Sequence, residues 1–196
     1  MKDPLKIIGA NGKRRKNDFY ETPSEVTVAL VELLQEKFLL RPGMTVWEPA
    51  CGKGAIAKVL SEKGYRTWCT DIEKGQDYLT YQMDEPFDFI ITNPPFSLAE
   101  EFIKKSVEHG KPFAMLLKSQ YWHSAKRRAL FLEHRPAMVL PLTWRPDFTG
   151  AGNSMLDMVW CVWIGESSVT YYQPLKKPDM ERRERGGGIQ NNQEIH

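Results

Sequence analysis

The chain has only three cysteines in 196 residues, Cys51, Cys69 and Cys161, an odd and widely spaced set. That excludes a disulfide framework and the paired spacing of a structural zinc site, and no metal ligand set is expected. Free thiols in a reducing compartment are the expectation. No apolar run approaches the roughly 18 residues needed to cross a bilayer. Residues 1–18 lack the long apolar block and small-residue site of a secretory signal, so a cytosolic protein with no membrane contact is expected. Excess charge is also missing. Twenty-seven Lys and Arg against 25 Asp and Glu leave a formal net charge of +2, which does not by itself name a polyanion as partner. There is no internal repeat and no G-x-x-x-x-G-K-[ST] phosphate loop.

What is present is an ordinary globular balance, 41% hydrophobic and 27% charged, which excludes a mostly disordered chain, a collagen and a coiled coil. One domain over residues 19–172 is expected, after a basic arm (1–18) and before a polar tail (173–196) expected to be disordered from Pro174. The arm's Lys13, Arg14, Arg15 and Lys16 suit phosphate contact or a solvated flexible end.

Apolar periodicity predicts the elements. Thr22-Pro23-Ser24-Glu25 reads as a capping box with Pro23 in the first helical position, opening a helix that carries Val26, Ala29, Leu30, Leu33, Leu34 and Phe38. Arg41-Pro42-Gly43 stops it. Strands are predicted at Met44–Glu48, Arg66–Asp71, Phe87–Thr92, Pro112–Leu117, Ala137–Leu142 and Met158–Ile164. Helices are predicted at Gly54–Lys63, Ser97–His109 (capped by Ser97 and Glu100) and Ser124–Glu133. A weak seventh strand is expected around Gln76–Thr80. Alternating strands and helices imply an α/β, Rossmann-like, doubly wound and mostly parallel seven-stranded sheet. The long loop Thr143–Leu156 stands outside that alternation.

Three segments at predicted strand ends carry chemistry. Glu48-Pro49-Ala50-Cys51-Gly52-Lys53-Gly54 joins a strand to a helix, and its glycines allow a sharp turn and close backbone approach to a ligand. A plain tight connection has the same pattern. Asp71 ends the next strand, 19 residues after Gly52, where a carboxylate can accept from both hydroxyls of a ribose; an N-cap is the other use of such an aspartate. Asn93-Pro94-Pro95-Phe96 ends the strand Phe87–Thr92. Two prolines stiffen that turn and donate no hydrogen bonds. It offers an amide, backbone carbonyls and an aromatic ring, which suit a planar amino group.

Together Glu48–Gly54, Thr70-Asp71-Ile72 and Thr92–Phe96, with Phe19-Tyr20-Glu21-Thr22-Pro23 upstream, resemble the S-adenosylmethionine-dependent adenine-N6 methyltransferases. Their order is that of the gamma-type DNA enzymes and of several RNA adenine methyltransferases, and the size is similar to small phage or prophage members. The resemblance covers roughly residues 18–165 and implies a class I methyltransferase in the cytoplasm of a bacterium or phage-infected host. It implies that Tyr20, Thr22, Pro23 and Glu48 hold the methionine end of S-adenosyl-L-methionine. Ala50, Gly52 and Gly54 would shape the turn beneath it, Asp71 would take the ribose, Ile72 would flank the adenine and Asp77 would accept from the cofactor's amino group. Asn93, Pro94, Pro95 and Phe96 would be catalytic, accepting the target amine's N–H groups and stacking on the target base.

Nucleic acid is the implied partner, DNA favoured over RNA. No separate target-recognition domain is expected in the roughly 30 residues after the last predicted strand, so the arm, Thr143–Leu156, Gln120–Arg128, a second copy or a partner subunit would read the target. In Gln120–Arg128, Tyr121 and Trp122 precede Lys126, Arg127 and Arg128, which suits nucleic-acid contact or a helix start with a solvated face. Two readings remain beside these: protein glutamine methylation, where Tyr usually stands in the place of Phe96, and a non-catalytic subunit of the same fold.

Overall fold

The computed structural model describes residues 21–150, 152 and 156–180. Tyr20, the basic run Lys13–Lys16 and the end of the tail lie outside them.

Seven strands form one sheet in the order β2-β1-β3-β4-β6-β5-β7. They are β1 (Thr45–Glu48), β2 (Arg66–Cys69), β3 (Phe89–Thr92), β4 (Phe113–Lys118), β5 (Met138–Pro141), β6 (Met158–Trp163) and β7 (Tyr171–Tyr172). The helices are α1 (Ser24–Glu36), α2 (Ala55–Glu62), α3 (Ala99–Glu108) and α4 (Ala125–Glu133). β6 runs antiparallel between β4 and β5, and the other pairings are parallel. The expected doubly wound, mostly parallel sheet is therefore the fold.

Strand residues alternate between two cores because successive side chains point to opposite faces. Phe89 and Ile91 of β3, Leu116 of β4 and Trp160 of β6 join α1 and α2 on one face. Ile90, Met115, Leu117, Val159 and Cys161 join α3 on the other. This two-sided burial is why β3, β4 and β6 read as continuous apolar runs. Trp160 ties the first core together, its indole N–H donating to the Val26 carbonyl at 3.0 Å.

Several expectations need correction. The seventh strand is Tyr171–Tyr172, not Gln76–Thr80. The latter is a turn in which the Asp77 carbonyl accepts from Thr80 and Tyr81. Past Pro174, Leu175 is buried, bridges Leu142 and accepts from the Thr143 N–H. Neither capping box forms. Pro23 is itself the N-cap of α1, with no side-chain cap. α3 is preceded by a 3-10 turn, Phe96–Leu98, and Ser97 does not cap it. Tyr121 is buried, and Trp122 donates to the Cys161 sulfur, so these rings belong to the second core rather than to an aromatic surface. Arg127 packs 4.2 Å from the Tyr121 ring, leaving Lys126 and Arg128 exposed. No helix among the described residues is long and apolar enough to cross a membrane.

Candidate active site

The sheet's winding reverses between β1 and β3. From β1 the chain crosses through α2 to β2 on one side. From β3 it crosses through α3 to β4 on the other. Connections diverge there and open a crevice at the strands' C-terminal ends. A cleft occupies this place. Of the sequence-predicted residues, Thr22, Glu48, Ala50, Asp71, Ile72, Asp77, Asn93 and Pro95 line it. Pro23, Gly52, Gly54, Pro94 and Phe96 do not.

The turn after β1 shows why. Gly52 and Gly54 have φ of +49° and +81°, backbone that residues with a Cβ rarely adopt. A Cβ on Gly54 would meet nothing within 4 Å, so conformation rather than space calls for glycine there. The glycines bend the chain, and their neighbours Ala50, Cys51, Lys53 and Ala55 face the cleft.

Asp71 locks this turn to the end of β2. One carboxylate oxygen accepts from the Gly52 N–H at 2.7 Å and the other from the Glu73 N–H at 2.9 Å. It caps the 3-10 turn Ile72–Lys74 and is only 7% exposed. The capping use of this aspartate is therefore the one the structure shows. Each carboxylate oxygen has a further lone pair for a hydroxyl. Ile72, next along, is 65% exposed although it is large and apolar, and it presents its side chain at the cleft.

Glu48 is the most deeply set acid, 2% exposed. Its carboxylate accepts from the Ala57 N–H at 2.8 Å, which satisfies one of the open donors in the first turn of α2. Burial pushes its pKa up to about 8, and the Asp71 carboxylate adds to the rise. The Ala57 hydrogen bond and Lys74 oppose it. Lys74 also donates to the Cys51 sulfur at 3.4 Å; burial raises the Cys51 thiol and this contact lowers it. Asp77 accepts from the Leu79 N–H and sits at the cleft wall.

The opposite wall comes from β3 and α3. The Asn93 amide nitrogen donates to the Thr22 hydroxyl at 3.1 Å across 71 residues of sequence. Thr22, expected to cap α1, instead orients the amide of the Asn-Pro-Pro-Phe turn, because Pro23 in extended backbone sets it one residue outside the helix. Pro94 is buried, and the Pro95 carbonyl accepts from Leu98. Leu98 and Phe102 complete this wall. Phe96 packs on the first core with the Lys118 ammonium 4.2 Å from its ring centroid.

Sequence reading missed Lys118, Lys74, Leu98 and Phe102. Leu98 and Phe102 follow the Asn-Pro-Pro-Phe turn at helical spacing, and Lys118 ends an apolar strand at the same sheet edge as Asn93; those were the available signals. Among the described residues, no three His, Cys, Asp or Glu side chains are grouped to hold a metal ion.

No family model matches the sequence, and no curated protein matches it. Solved structures do match in shape. A type I restriction-modification methyltransferase subunit from Streptococcus thermophilus superposes with a TM-score of 0.57 at 12% identity, covering 90% of this chain and 54% of that one. The chain thus spans about half the length of that subunit. A proposed RNA methyltransferase from Pyrococcus horikoshii gives 0.54 at 13% identity, covering 83% of this chain and 95% of that one. A proposed class I S-adenosylmethionine-dependent methyltransferase from Listeria monocytogenes gives 0.56 at 11% identity, covering 86% and 69%. At such identities the likeness is one of fold, and the fold of this chain is that of the class I methyltransferases.

Proposed function

We propose that the chain is an S-adenosylmethionine-dependent methyltransferase that methylates the exocyclic amine of adenine in DNA. The observation that carries this reading is the hydrogen bond from Asn93 to Thr22, which holds an amide at the mouth of the cleft built by Glu48 and Asp71. The cleft's chemistry fits the cofactor. Asp71 suits the ribose hydroxyls, the exposed Ile72 suits a purine face, Asp77 suits the purine amino group, and Glu48 suits the ammonium of the methionine end, with Thr22 and Pro23 beside it. The outlying Tyr20 keeps the same assignment. Bound there, S-adenosylmethionine supplies an electrophilic methyl group on a sulfonium sulfur.

Asn93 and Pro94 address the weakness of the other reactant. An adenine amine is a poor nucleophile because its lone pair is delocalised into the ring. The Asn93 side-chain oxygen and the Pro94 carbonyl accept its two N–H bonds and so favour a pyramidal nitrogen. They also stabilise the positive charge that grows as the N–C bond forms and the S–C bond breaks. The amine then releases a proton to water. Pro95 stiffens the turn, and Phe96 replaces the stacking that a base loses on leaving a duplex.

RNA is the second reading, because one structure of matching fold is that of a proposed RNA methyltransferase, of which the chain covers 95%. Under either reading, the candidates for target recognition are the β5–β6 connection, Gln120–Arg128, the N-terminal arm, a second copy or a partner subunit. The test is transfer of radiolabelled methyl to unmethylated genomic DNA and to total RNA, followed by nucleoside digestion. Label in N6-methyldeoxyadenosine is expected. Label only in RNA moves the substrate, label only in protein supports glutamine methylation, and cofactor binding without label anywhere supports a non-catalytic subunit.

A further inference from the structure

β4 outruns its parallel neighbour. Thr92, the last residue of β3, is in register with Met115, and β4 continues three residues further to Lys118, paired there only with β6. At about 3.3 Å per residue, this overhang runs roughly 10 Å beyond β3, alongside the Asn93–Phe96 turn. Lys118 is half-buried, with its ammonium 4.2 Å from the Phe96 centroid. Asp157, just before β6, gives its carboxylate to Arg145 at 2.8 Å and its carbonyl to the Ser119 N–H. Among the described residues Lys118 joins no ion pair. The cations across the cleft differ: Lys53 lies 3.9 Å from Glu21, and Lys74 is bonded to Cys51.

We infer that Lys118 binds the phosphodiester flanking the base presented to Asn93 and Phe96, so that the site takes a nucleic acid strand rather than an isolated base or a protein amide. This rests on the adenine-methyltransferase reading and deepens it. An aromatic face is a weak holder for a lysine, tied at one point and partly hydrated. A phosphate oxygen accepts a charge-assisted hydrogen bond from the same ammonium and is the stronger partner. Without substrate the Phe96 ring parks the cation. With substrate the ammonium moves to the phosphate and leaves that face of the ring for the base.

The test uses the full chain saturated with S-adenosylhomocysteine and a fluorescent adenine-containing oligonucleotide, as DNA and as RNA of matched sequence. Binding is measured by anisotropy from about 50 to about 200 mM salt for wild type, Lys118→Met and Lys118→Arg. Lys118→Met keeps the stem and removes the charge. It is expected to bind about tenfold more weakly at low salt, the scale of one charged hydrogen bond. Its log–log salt slope should be shallower by about 0.7 to 0.9, the signature of one lost phosphate contact. Lys118→Arg should retain both, and S-adenosylhomocysteine affinity should be equal in all three. A salt slope unchanged in Lys118→Met overturns the inference, as does Lys118→Arg failing together with Met, which would make Lys118 a packing residue. If wild type methylates nucleic acid while Lys118→Met binds it normally, only this inference fails. If wild type binds the cofactor product but neither oligonucleotide, the nucleic-acid reading fails with it.

Discussion

The two walls of the cleft are built on different plans. On the β1–β2 side the polar groups are committed to the fold. Asp71 bonds Gly52 and Glu73, Glu48 bonds Ala57, and Lys74 bonds Cys51. This wall is a cradle whose two carboxylates are held by backbone donors. On the β3–β4 side the Asn93 amide bonds a side-chain hydroxyl, that of Thr22, and the Lys118 cation lies over a side-chain ring, that of Phe96. That wall has groups that can change partners. A cradle suits a ligand that recurs in one pose. Exchangeable groups suit a polymer that must enter, react and leave.

Asn93→Ala separates the walls most sharply. Methyl transfer is expected to fall by at least about a thousandfold, the scale of losing a positioned electrostatic group, with S-adenosylmethionine affinity within a few-fold of wild type by calorimetry. Retained transfer would sink the proposed mechanism. Asp71→Ala should do the reverse. It removes the acceptor for two backbone N–H groups and, on the proposed reading, for the ribose, and should weaken cofactor binding about 10- to 100-fold while also lowering thermal stability.

Glu48 makes the cradle sensitive to pH. Burial favours its protonated form in the free protein, with a pKa of about 8 against a usual value of 4.5. The unfolded chain ionises at the lower value, so the folded state binds the extra proton between them. Stability of the cofactor-free protein therefore falls as pH rises through that window. Glu48→Gln keeps an acceptor for Ala57 and should flatten this fall, raising the melting temperature at pH 8.5 by several degrees (a scale of about 4 °C per kcal/mol). The ionised carboxylate is the better partner for an ammonium, so wild-type cofactor affinity should rise between about pH 6.5 and about pH 9. The Gln variant should show weaker, pH-independent binding. A flat wild-type profile would remove Glu48 from the ammonium site.

The smallest expected effects come from exposed ion pairs on the two sides, Lys53–Glu21 and Arg145–Asp157. Breaking either with Glu21→Gln or Arg145→Ala should leave the urea unfolding midpoint almost unchanged, because solvent screens exposed pairs.

How much was legible in the sequence follows the same division. β3, β4 and β6 announce themselves as apolar runs because both faces are buried. Glu48, Asp71 and Asn93 were found because each sits at the C-terminal end of a strand, where a local pattern fixes a position in space. Partnerships were not legible. Thr22 looks like a cap from its neighbours, and only the folded chain brings Asn93 to its hydroxyl. Lys118 became visible only when the register showed β4 overhanging β3. The seventh strand was misplaced because edge strands as short as Tyr171–Tyr172 carry little pattern, and pairing with β5 rather than local propensity makes them strands.

The antiparallel β6 has a consequence for how the chain is made. It fills the gap between β4 and β5, two strands synthesised before it, and its Trp160 bonds to Val26 from 134 residues away. As the polypeptide leaves the ribosome, α1 and the first five strands emerge with that central slot still open. Contacts at such separation are slow to form and leave apolar surface bare while they wait. The cleft at β1 and β3 belongs to the first half of the chain, yet its wall gains a finished core behind it only when residue 160 is free to dock. Activity should therefore switch on late, with the last quarter of the chain, rather than accrue as the motif-bearing segments appear.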